Sequence, residues 1–354
     1  MPGRTLSAET LAVTADNALV TVAGDLALDG LPVSAEWRQP LASGAGGSRI
    51  EGRMELSQRF LDVFGIALPP GSVRGAGQAA LTLDLPRAGA PAFSLRSDLS
   101  GIGLALPALG WSVSETATGS LSVEGRLGAP ARIDLLELDA PGLQVTGRID
   151  LRPGGALEVA RFDRVRRGDW LDAQVILTGQ GRGRPASVAI TGGTLDLRGA
   201  GLAPGGGGSA GPLSLRLDAV RIGEQLALTG VAGTLDPAGG PSGQLTARVN
   251  GDAPVAIRLG PAAQGTAIQV LSNDAGAVLR AARLSQAIAG GTLDLRLRPR
   301  AAAAAMTAAC RCAASGCAMR PPSPRCSRRS ASSGCSNSSM ARGWRFPRSM
   351  PPSR

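Results

Sequence analysis

Short runs in which apolar and polar residues alternate restrict the fold more than any other feature of this sequence. Clear examples are residues 121–127, 143–151, 195–198, 213–217 and 293–297. Each run places Leu, Val or Ile on one face and Asp, Arg, Thr or Ser on the other, as in a β-strand with one wet face. Clusters rich in Gly, Pro, Asn and Asp separate the runs at hairpin spacing. The pattern therefore predicts an antiparallel meander of many strands.

Two segments have helical spacing instead. One covers residues 57–65, which begin with a capping Ser and end with a Gly, and the other runs from Ser272 to about Leu284. A Gly-rich loop at 205–212 divides the predicted sheet into an upstream half, 1–204, and a downstream half, 213–300. We expect the short helices to close one end of the sheet.

The number of candidate strands implies that the sheet bends. Well over a dozen strands are predicted, and open sheets rarely exceed about 10 strands without curling, splitting or closing. Large aromatic residues are scarce in residues 1–300, namely Trp37, Trp111, Trp170, Phe60, Phe64, Phe93 and Phe162. An apolar face without an obvious covering layer favours a mostly β fold in which a long curled antiparallel sheet forms a groove. Two packed sheets that cover each other are the alternative.

The residue types exclude much catalytic chemistry. Every basic residue is Arg, and the chain has no His, Lys or Tyr. A Ser-His-Asp triad, an imidazole base, a Schiff-base lysine and a P-loop lysine are therefore excluded. Residues 207–211 match the G-x-S-x-G pattern of a nucleophile elbow, but they lie in a Gly-rich loop. We expect a protein that is not an enzyme and uses no cofactor and no metal.

Most of the net charge belongs to the C-terminal segment, 301–354. This segment has nine Arg and no acidic residue, which leaves 28 Arg against 27 acids in residues 1–300. It also holds all five cysteines: Cys310, Cys312, Cys317, Cys326 and Cys335. The balanced body indicates no nucleic-acid surface.

The same segment lacks any period of 2 or 3.6 residues. Its abrupt change of composition suggests a frameshift near residues 298–306, and the alternatives are a disordered basic arm or a Cys-rich metal knuckle. At the other end, no signal-peptide core follows Met1, and no apolar stretch approaches the roughly 20 residues that span a bilayer. These features indicate a soluble chain or a fragment without an anchor.

Several local patterns have both a functional and a structural interpretation. Residues 179–184 (Gly-Gln-Gly-Arg-Gly-Arg) are typical of a phosphate cradle or of a hairpin turn, and the missing helix favours the turn. A basic patch suits lipid phosphates, nucleic acid or a solvated strand face, and we favour the last. The patch consists of Arg161, Arg164, Arg166 and Arg167. Alternation on wet faces also explains the carboxylate pairs Asp134 with Glu137 and Asp169 with Asp172.

Five motifs between residues 121 and 299 resemble one family of envelope proteins. They are residues 168–172 (Gly-Asp-Trp-Leu-Asp), 192–198 (Gly-Gly-Thr-Leu-Asp-Leu-Arg), 249–251 (Val-Asn-Gly), 272–280 (Ser-Asn-Asp-Ala-Gly-Ala-Val-Leu-Arg) and 290–295 (Gly-Gly-Thr-Leu-Asp-Leu). Together they resemble the central and C-terminal part of the AsmA-like proteins, particularly the YhdP type, which are relatives of TamB. The helix start at Ser272 followed by a Gly-Gly strand is the most specific of these features.

The resemblance implies a long β-groove in the envelope of Gram-negative bacteria. In complete relatives an inner-membrane helix anchors the groove in the periplasm, and the groove carries phospholipid toward the outer membrane. The implied partners of this chain are therefore phospholipid and the envelope membranes. The sequence departs from the family at both ends, since it has no anchor and residues 301–354 replace the family's continuation.

Alternation suggests which residues face an acyl chain, because one face of each strand is apolar. The candidate lining residues are Val145, Ile149, Val175, Leu177, Val188, Ile190, Leu195, Leu197, Leu228, Leu245, Val249, Val255, Ile257, Ile268 and Val270. A rival hypothesis from another class is a structural or assembly module of the envelope, with protein partners at its sheet edges. An enzyme acting on envelope polymers is a more distant alternative.

Overall fold

A computed structural model describes residues 4–42, 46–66, 68–181, 184–200, 211–236, 242–262, 265–299 and 306–313, the last of these as backbone only. The chain forms two compact units. The first comprises Met1–Gly192 and Gly199–Gly208, and the second comprises Gly193–Arg198 and Ser209–Arg354. Most of the predicted Gly-rich loop at 205–212 lies outside the described residues.

The described part of the first unit is built from short to medium strands with one α-helix and one 3-10 turn. The elements are β1 (Leu6–Ala8), β2 (Ala12–Ala15), β3 (Leu19–Leu28), β4 (Leu31–Pro40), β5 (Ser48–Ser57), α1 (Gln58–Phe64), β6 (Val73–Leu85), β7 (Ala92–Ser97), β8 (Ile102–Leu106), the 3-10 turn Pro107–Leu109, β9 (Trp111–Val113), β10 (Ser120–Arg126), β11 (Arg132–Ala140), β12 (Leu143–Leu151), β13 (Leu157–Arg167), β14 (Leu171–Thr178) and β15 (Ser187–Asp196), which continues into the second unit.

The strands of the first unit follow one another as a meander. β1 and β2 both pair with β3, and the pairing then runs in chain order from β3 to β7. β7 pairs with β10, which begins a second meander from β10 to β14. The first residues of β6 leave this order and pair with β8, which pairs with β9. Each of these pairs is antiparallel.

Glycines and bulges explain why this sheet curls. Phe93 pairs with Gly125, and Phe162 pairs with Gly147 on a neighbouring strand. A Cβ atom on Gly125 would stand 2.9 Å from Phe93 Cε1 and 2.2 Å from the Arg132 carbonyl oxygen, so a side chain does not fit there. The register shifts beside both glycines, because β11 and β13 carry extra residues at those points. Bulges of this kind bend a strand and increase its twist.

The buried core of the first unit lies toward one end of its strands. Leu31 begins β4, Met54 and Leu56 end β5, and Leu143 begins β12, and all four side chains are buried. Trp111 of β9 joins them, and Trp111 Nε1 donates a hydrogen bond to the Pro141 carbonyl oxygen at 2.9 Å. Aromatic residues of α1 and apolar residues of β8 also pack on this core. These elements cover one end of the apolar face.

Helix α1 confirms the helix predicted at residues 57–65. It begins after Ser57 and ends at Gly65, whose φ of 65° lies in the left-handed region that Gly adopts without a Cβ clash. The Ser57 hydroxyl makes no capping hydrogen bond, however, and its buried Oγ has no hydrogen-bond partner. Ser57 therefore holds the N-cap position without performing the side-chain function that the sequence predicts for it.

The second unit repeats the same plan in fewer elements. Its described elements after β15 are β16 (Leu213–Arg221), β17 (Ala227–Asp236), β18 (Ser242–Val249), β19 (Ala253–Ala262), β20 (Gly265–Ser272), α2 (Ala275–Ala281), β21 (Thr292–Pro299) and β22 (Met306–Ala313). From β16 to β22 each strand pairs antiparallel with the next. The register shifts at residues 229–232 of β17, where Gly230 has a φ of 57°.

Helix α2 covers the apolar face of the second unit at one end. Ala275 and Val278 of the helix are buried, together with Val249, Val255 and Leu293 of the strands. The prediction that Ser272 caps this helix was wrong. Asp274 is the N-cap and accepts a hydrogen bond from the Ala277 backbone N–H at 2.8 Å. Ser272 Oγ instead donates to the Pro254 carbonyl oxygen at 2.9 Å, which ties the end of β20 to the start of β19.

The chain is therefore a mostly β protein built from a long curled antiparallel sheet with two short helices, as the alternation predicts. In the segment 301–354 the structure describes the backbone of β22 only, and β22 pairs with β21. The predictions for the rest of that segment lie outside the described residues.

Candidate functional site

Two rows of apolar residues cross the first unit from strand to strand. In the row nearer the core, Leu81 pairs with Leu95, Leu95 with Val123, and Phe162 with Val175. Leu95 is buried, and the other side chains of this row pack against the core. The row contributes to the stability of the covered end.

The second row lies farther along the strands and is less covered. Its members pair in sequence from Leu83 to Phe93, from Ile133 to Ile149, and on through Ala160 to Leu177. The large side chains of this row are half-buried, and none of them belongs to the core cluster. The apolar face therefore continues beyond the core as a half-buried strip, which we call the distal row and define by Leu83, Phe93, Ile133, Ile149 and Leu177.

The predicted lining residues of the first unit divide between these zones. Val145 and Val175 pack against the core, whereas Ile149 and Leu177 belong to the distal row. Val188 and Ile190 lie on β15 and are half-buried. The sequence prediction omitted Leu83, Phe93 and Ile133, although the alternation around these residues carried the same signal.

The apolar face of the second unit also has one row farther from its covered end and one row nearer to it. Leu213, Leu235, Leu259, Ile268 and Leu297 form a half-buried row across β16 to β21, with Gly243 opposite both Leu235 and Leu259. Next to it runs a row through Leu245, Ile257 and Val270. This second row is closer to the end that α2 covers.

The predicted lining residues of the second unit differ in exposure. Val249, Val255 and Ile257 are buried among the chain's own side chains. The others are half-buried: Leu195, Leu197, Leu228, Leu245, Ile268 and Val270. The buried three stabilise the unit, and the remaining six lie on partly exposed surface.

The opposite face of the first unit is charged and internally paired. Arg161 binds Asp150 with an Nη1–Oδ2 distance of 2.7 Å, and Arg164 binds Asp172 through two hydrogen bonds of 3.0 and 2.6 Å. The guanidinium of Arg164 lowers the pKa of the Asp172 carboxyl by this hydrogen bonding. A carboxyl in that state stays ionised and is a poor proton donor.

The rest of the predicted basic patch is also engaged. Arg166 Nη2 lies 3.5 Å from Asp169 Oδ1, and Arg167 donates to the carbonyl oxygens of Gly142 and Gly110. These contacts agree with our preferred interpretation of the patch as a strand face with acidic neighbours.

Three of the four carboxylates in the predicted pairs, those of Asp134, Asp169 and Asp172, lie beside arginines. Asp134 accepts hydrogen bonds from Arg132 and lies 3.5 Å from Arg126, so its partners are cations on neighbouring strand positions. Asp169 is fully exposed at 101% of its reference area. In the described residues no group of three or more Cys, Asp or Glu side chains is placed to hold a metal ion.

Two other sequence patterns lie only partly within the described residues. Residues 182–183 of the Gly/Arg-rich turn and residues 207–210 of the G-x-S-x-G match lie outside the described residues. At the described edge of the first pattern, the Gly179 carbonyl oxygen accepts a hydrogen bond from Arg152 at 3.0 Å. This contact makes Gly179 part of a turn between strands.

Neither described helix has the length and hydrophobicity required to cross a bilayer. Comparison of the chain with family models, curated proteins and solved structures finds no match.

Proposed function

We propose that this protein is a non-catalytic lipid-binding protein of the bacterial envelope, in which acyl chains lie along the apolar face of the curled sheet. The phospholipid head group stays in water at the open side. In this proposal the chain is a segment of a periplasmic carrier between the inner and outer membranes, and its work consists of shielding the acyl chain from water.

The distal row is the single observation that carries the proposal. It presents large apolar side chains from five strands, β6, β7, β11, β12 and β14, and these side chains are half-buried beyond the core. Moving a CH₂ group out of water gains roughly 0.8 kcal/mol. A strip of this kind therefore holds a hydrocarbon without any catalytic group.

The closed end supports a direction for the bound chain. Helix α1 and strands β8 and β9 pack over the apolar face near the buried core. An acyl chain therefore lies toward the other end of the strands, along the distal row. The resemblance to the AsmA-like proteins points to the same activity and to the same compartment.

Because the outer face of the first unit is charged, we expect an acyl chain to bind on the opposite, apolar face. Ion pairs such as Arg161–Asp150 and Arg164–Asp172 cover this face of β12, β13 and β14. An acyl chain gains little there because these charges would lose water. The contrast between the two faces predicts that neighbouring residues on one strand respond differently to mutation.

A structural or assembly module with protein partners is the second candidate. The burial of Val249, Val255 and Ile257 favours it, because part of the apolar face is filled by the chain itself. This candidate predicts no stoichiometric lipid.

The test is lipid extraction and mass spectrometry of the purified full chain, with two matched variants on β14. Leu177 and Ile176 are adjacent, half-buried and on opposite faces, since Leu177 pairs with Ala160 and Ile176 with Arg161. We expect phospholipid in the wild type and in Ile176→Asn, and several-fold less in Leu177→Asn. Absence of phospholipid from the wild type, or equal loss in both variants, would contradict the proposal.

A further inference from the structure

A cavity of about 460 Å³ lies within the second unit, where several strand turns meet the end of α2. Its walls are formed by Arg198 after β15, by the end of β16 with the β16–β17 turn, by the β18–β19 turn, and by the end of α2 with Arg283. Four arginines, Arg198, Arg221, Arg280 and Arg283, and two acidic residues, Glu224 and Asp252, are among its lining residues. The lining therefore has a positive balance although residues 1–300 are nearly neutral.

Two of the four arginines keep their guanidinium donors free of hydrogen bonds in the part of the chain that the structure describes. The side chains of Arg221 and Arg283 form no hydrogen bond and no close ion pair with a described residue, although Arg221 interacts electrostatically with Asp196, and both arginines are exposed. Arg280 donates one hydrogen bond, from Nη1 to the Ile288 carbonyl oxygen at 3.0 Å. Arg198 is held by Asp196, with an Nη2–Oδ2 distance of 2.6 Å.

Asn250 holds the walls of this cavity together. Its Nδ2 donates to the Gln225 carbonyl oxygen at 2.8 Å and to the Ala281 carbonyl oxygen at 2.7 Å, while its Oδ1 accepts from the Ala227 N–H at 2.8 Å. The side chain thus connects the β16–β17 turn with the last residue of α2. The cationic residues on these two elements are therefore held near one another by a fixed network.

The geometry points to this cavity as a binding site for a phosphate group. A guanidinium presents a planar fork of N–H donors that matches phosphate oxygens, and charge-assisted hydrogen bonds of this kind are roughly twice as strong as neutral ones. The guanidinium N–H donors of Arg221 and Arg283 form no hydrogen bond with any described residue, and Arg280 keeps the donors that do not bind Ile288. The phosphate is that of a lipid head group or a free phosphate, since both present the same oxygens.

The surroundings of the cavity suit a lipid head group. Leu284 directly follows the cavity-lining Arg283 and is 58% exposed. A phospholipid with its phosphate at the arginines would place an acyl chain near this exposed apolar side chain. The inference deepens the proposed function and rests on that function only for the source of the phosphate.

The test is calorimetric titration of the full-length protein with inorganic phosphate at low ionic strength. We expect saturable binding that weakens with added salt, because exposed charges are screened over about 10 Å at 0.1 M salt. Arg221→Gln and Arg283→Gln should each weaken binding about tenfold, the effect of one lost charge-assisted hydrogen bond. Arg258→Gln is the matched control, since Arg258 is an exposed arginine of β19 outside the cavity, and it should leave the affinity within about twofold.

Every variant retains the nine arginines of residues 301–354, so any phosphate that binds to that segment contributes equally to all the titrations. The absence of saturable phosphate binding, or equal effects of the three substitutions, would overturn the inference. Titration with dihexanoyl phosphatidic acid below its micelle concentration separates the sources. Affinity at least tenfold above that of inorganic phosphate supports a lipid head group, and equal affinity supports free phosphate. Leu177 lies in the first unit and not in the cavity, so Leu177→Asn should leave phosphate binding unchanged, and a failure of the carrier proposal would leave the phosphate result intact.

Discussion

The ring of Phe162 lies against Gly147 on the adjacent strand, with Phe162 Cδ1 2.8 Å from the point where a Cβ atom on Gly147 would stand. A Cβ there would also be 2.4 Å from the Arg161 carbonyl oxygen. The pair lies at a register shift between β12 and β13, and Gly125, which pairs with Phe93, lies at a register shift between β10 and β11. An aromatic residue opposite a glycine thus occurs at two of the points where the first unit bends.

Gly147→Ala should destabilise the first unit by about 1–3 kcal/mol, because the added methyl group overlaps backbone and ring atoms. Gly46→Ala is the control, since a Cβ on Gly46 meets nothing within 4 Å. Urea denaturation monitored by circular dichroism measures both. Equal midpoints for Gly147→Ala and the wild type would show that the close packing at Gly147 does not constrain the fold.

Asn250→Gly should destabilise the second unit by roughly 1–3 kcal/mol, because three side-chain hydrogen bonds are lost. Gly is the informative replacement, since Asn250 has a φ of 48° and Gly adopts this conformation without strain. Asn273→Gly is the matched change at an exposed position. Hydrogen exchange should accelerate in α2 for Asn250→Gly only, and similar exchange in both variants would argue against a clamp.

Loss of the N-cap side chain should lower the stability of the protein at the start of α2 but not at the start of α1. Asp274→Ala should cost about 0.5–2 kcal/mol, because Asp274 accepts a hydrogen bond from Ala277. Ser57→Ala should leave stability unchanged or raise it slightly, because the buried Ser57 hydroxyl has no partner. Thermal unfolding of the two single variants compares them, and a larger loss for Ser57→Ala would refute this assignment.

The Asp196 carboxyl should titrate with a pKa of about 2 in the folded protein, below its ordinary value of 3.8, because Arg198 donates hydrogen bonds to the carboxylate. The pairing therefore contributes fully to folding stability above about pH 4, and this contribution is lost as the pH falls through about 2. Carbon-13 NMR of the side-chain carboxyl measures the midpoint. Arg198→Gln should move the midpoint up toward the ordinary value, and an unchanged midpoint would contradict the stated cause.

Sequence alternation predicted the main class of structure but not the distribution of burial. The runs at 143–151 and 293–297 correspond to β12 and to part of β21, because one face of each strand is apolar. The same pattern did not separate Val255, which is buried, from Ile268, which is half-buried. That difference depends on which elements fold over one end of the sheet, and strand periodicity contains no information about it.

The alternation pattern also did not predict which side chain caps helix α2 or which arginines line the cavity. Ser272 and Asp274 both suit an N-cap, and the choice depends on the hydrogen bonds that Ser272 makes with β19. Arg221 and Arg283 lie 62 positions apart and are brought to one cavity by the turns and by Asn250. A lone arginine in a turn gives no signal of such a cluster.

Photo-crosslinking with a phospholipid that carries a diazirine in its acyl chain tests the central claim most directly. After irradiation of the full-length protein, peptide mass spectrometry locates the attached lipid. The account predicts attachment at distal-row residues such as Ile133, Ile149 and Leu177, and little at Arg148 or Ile176 on the opposite face. Equal attachment on both faces, or none on the distal row, would contradict it.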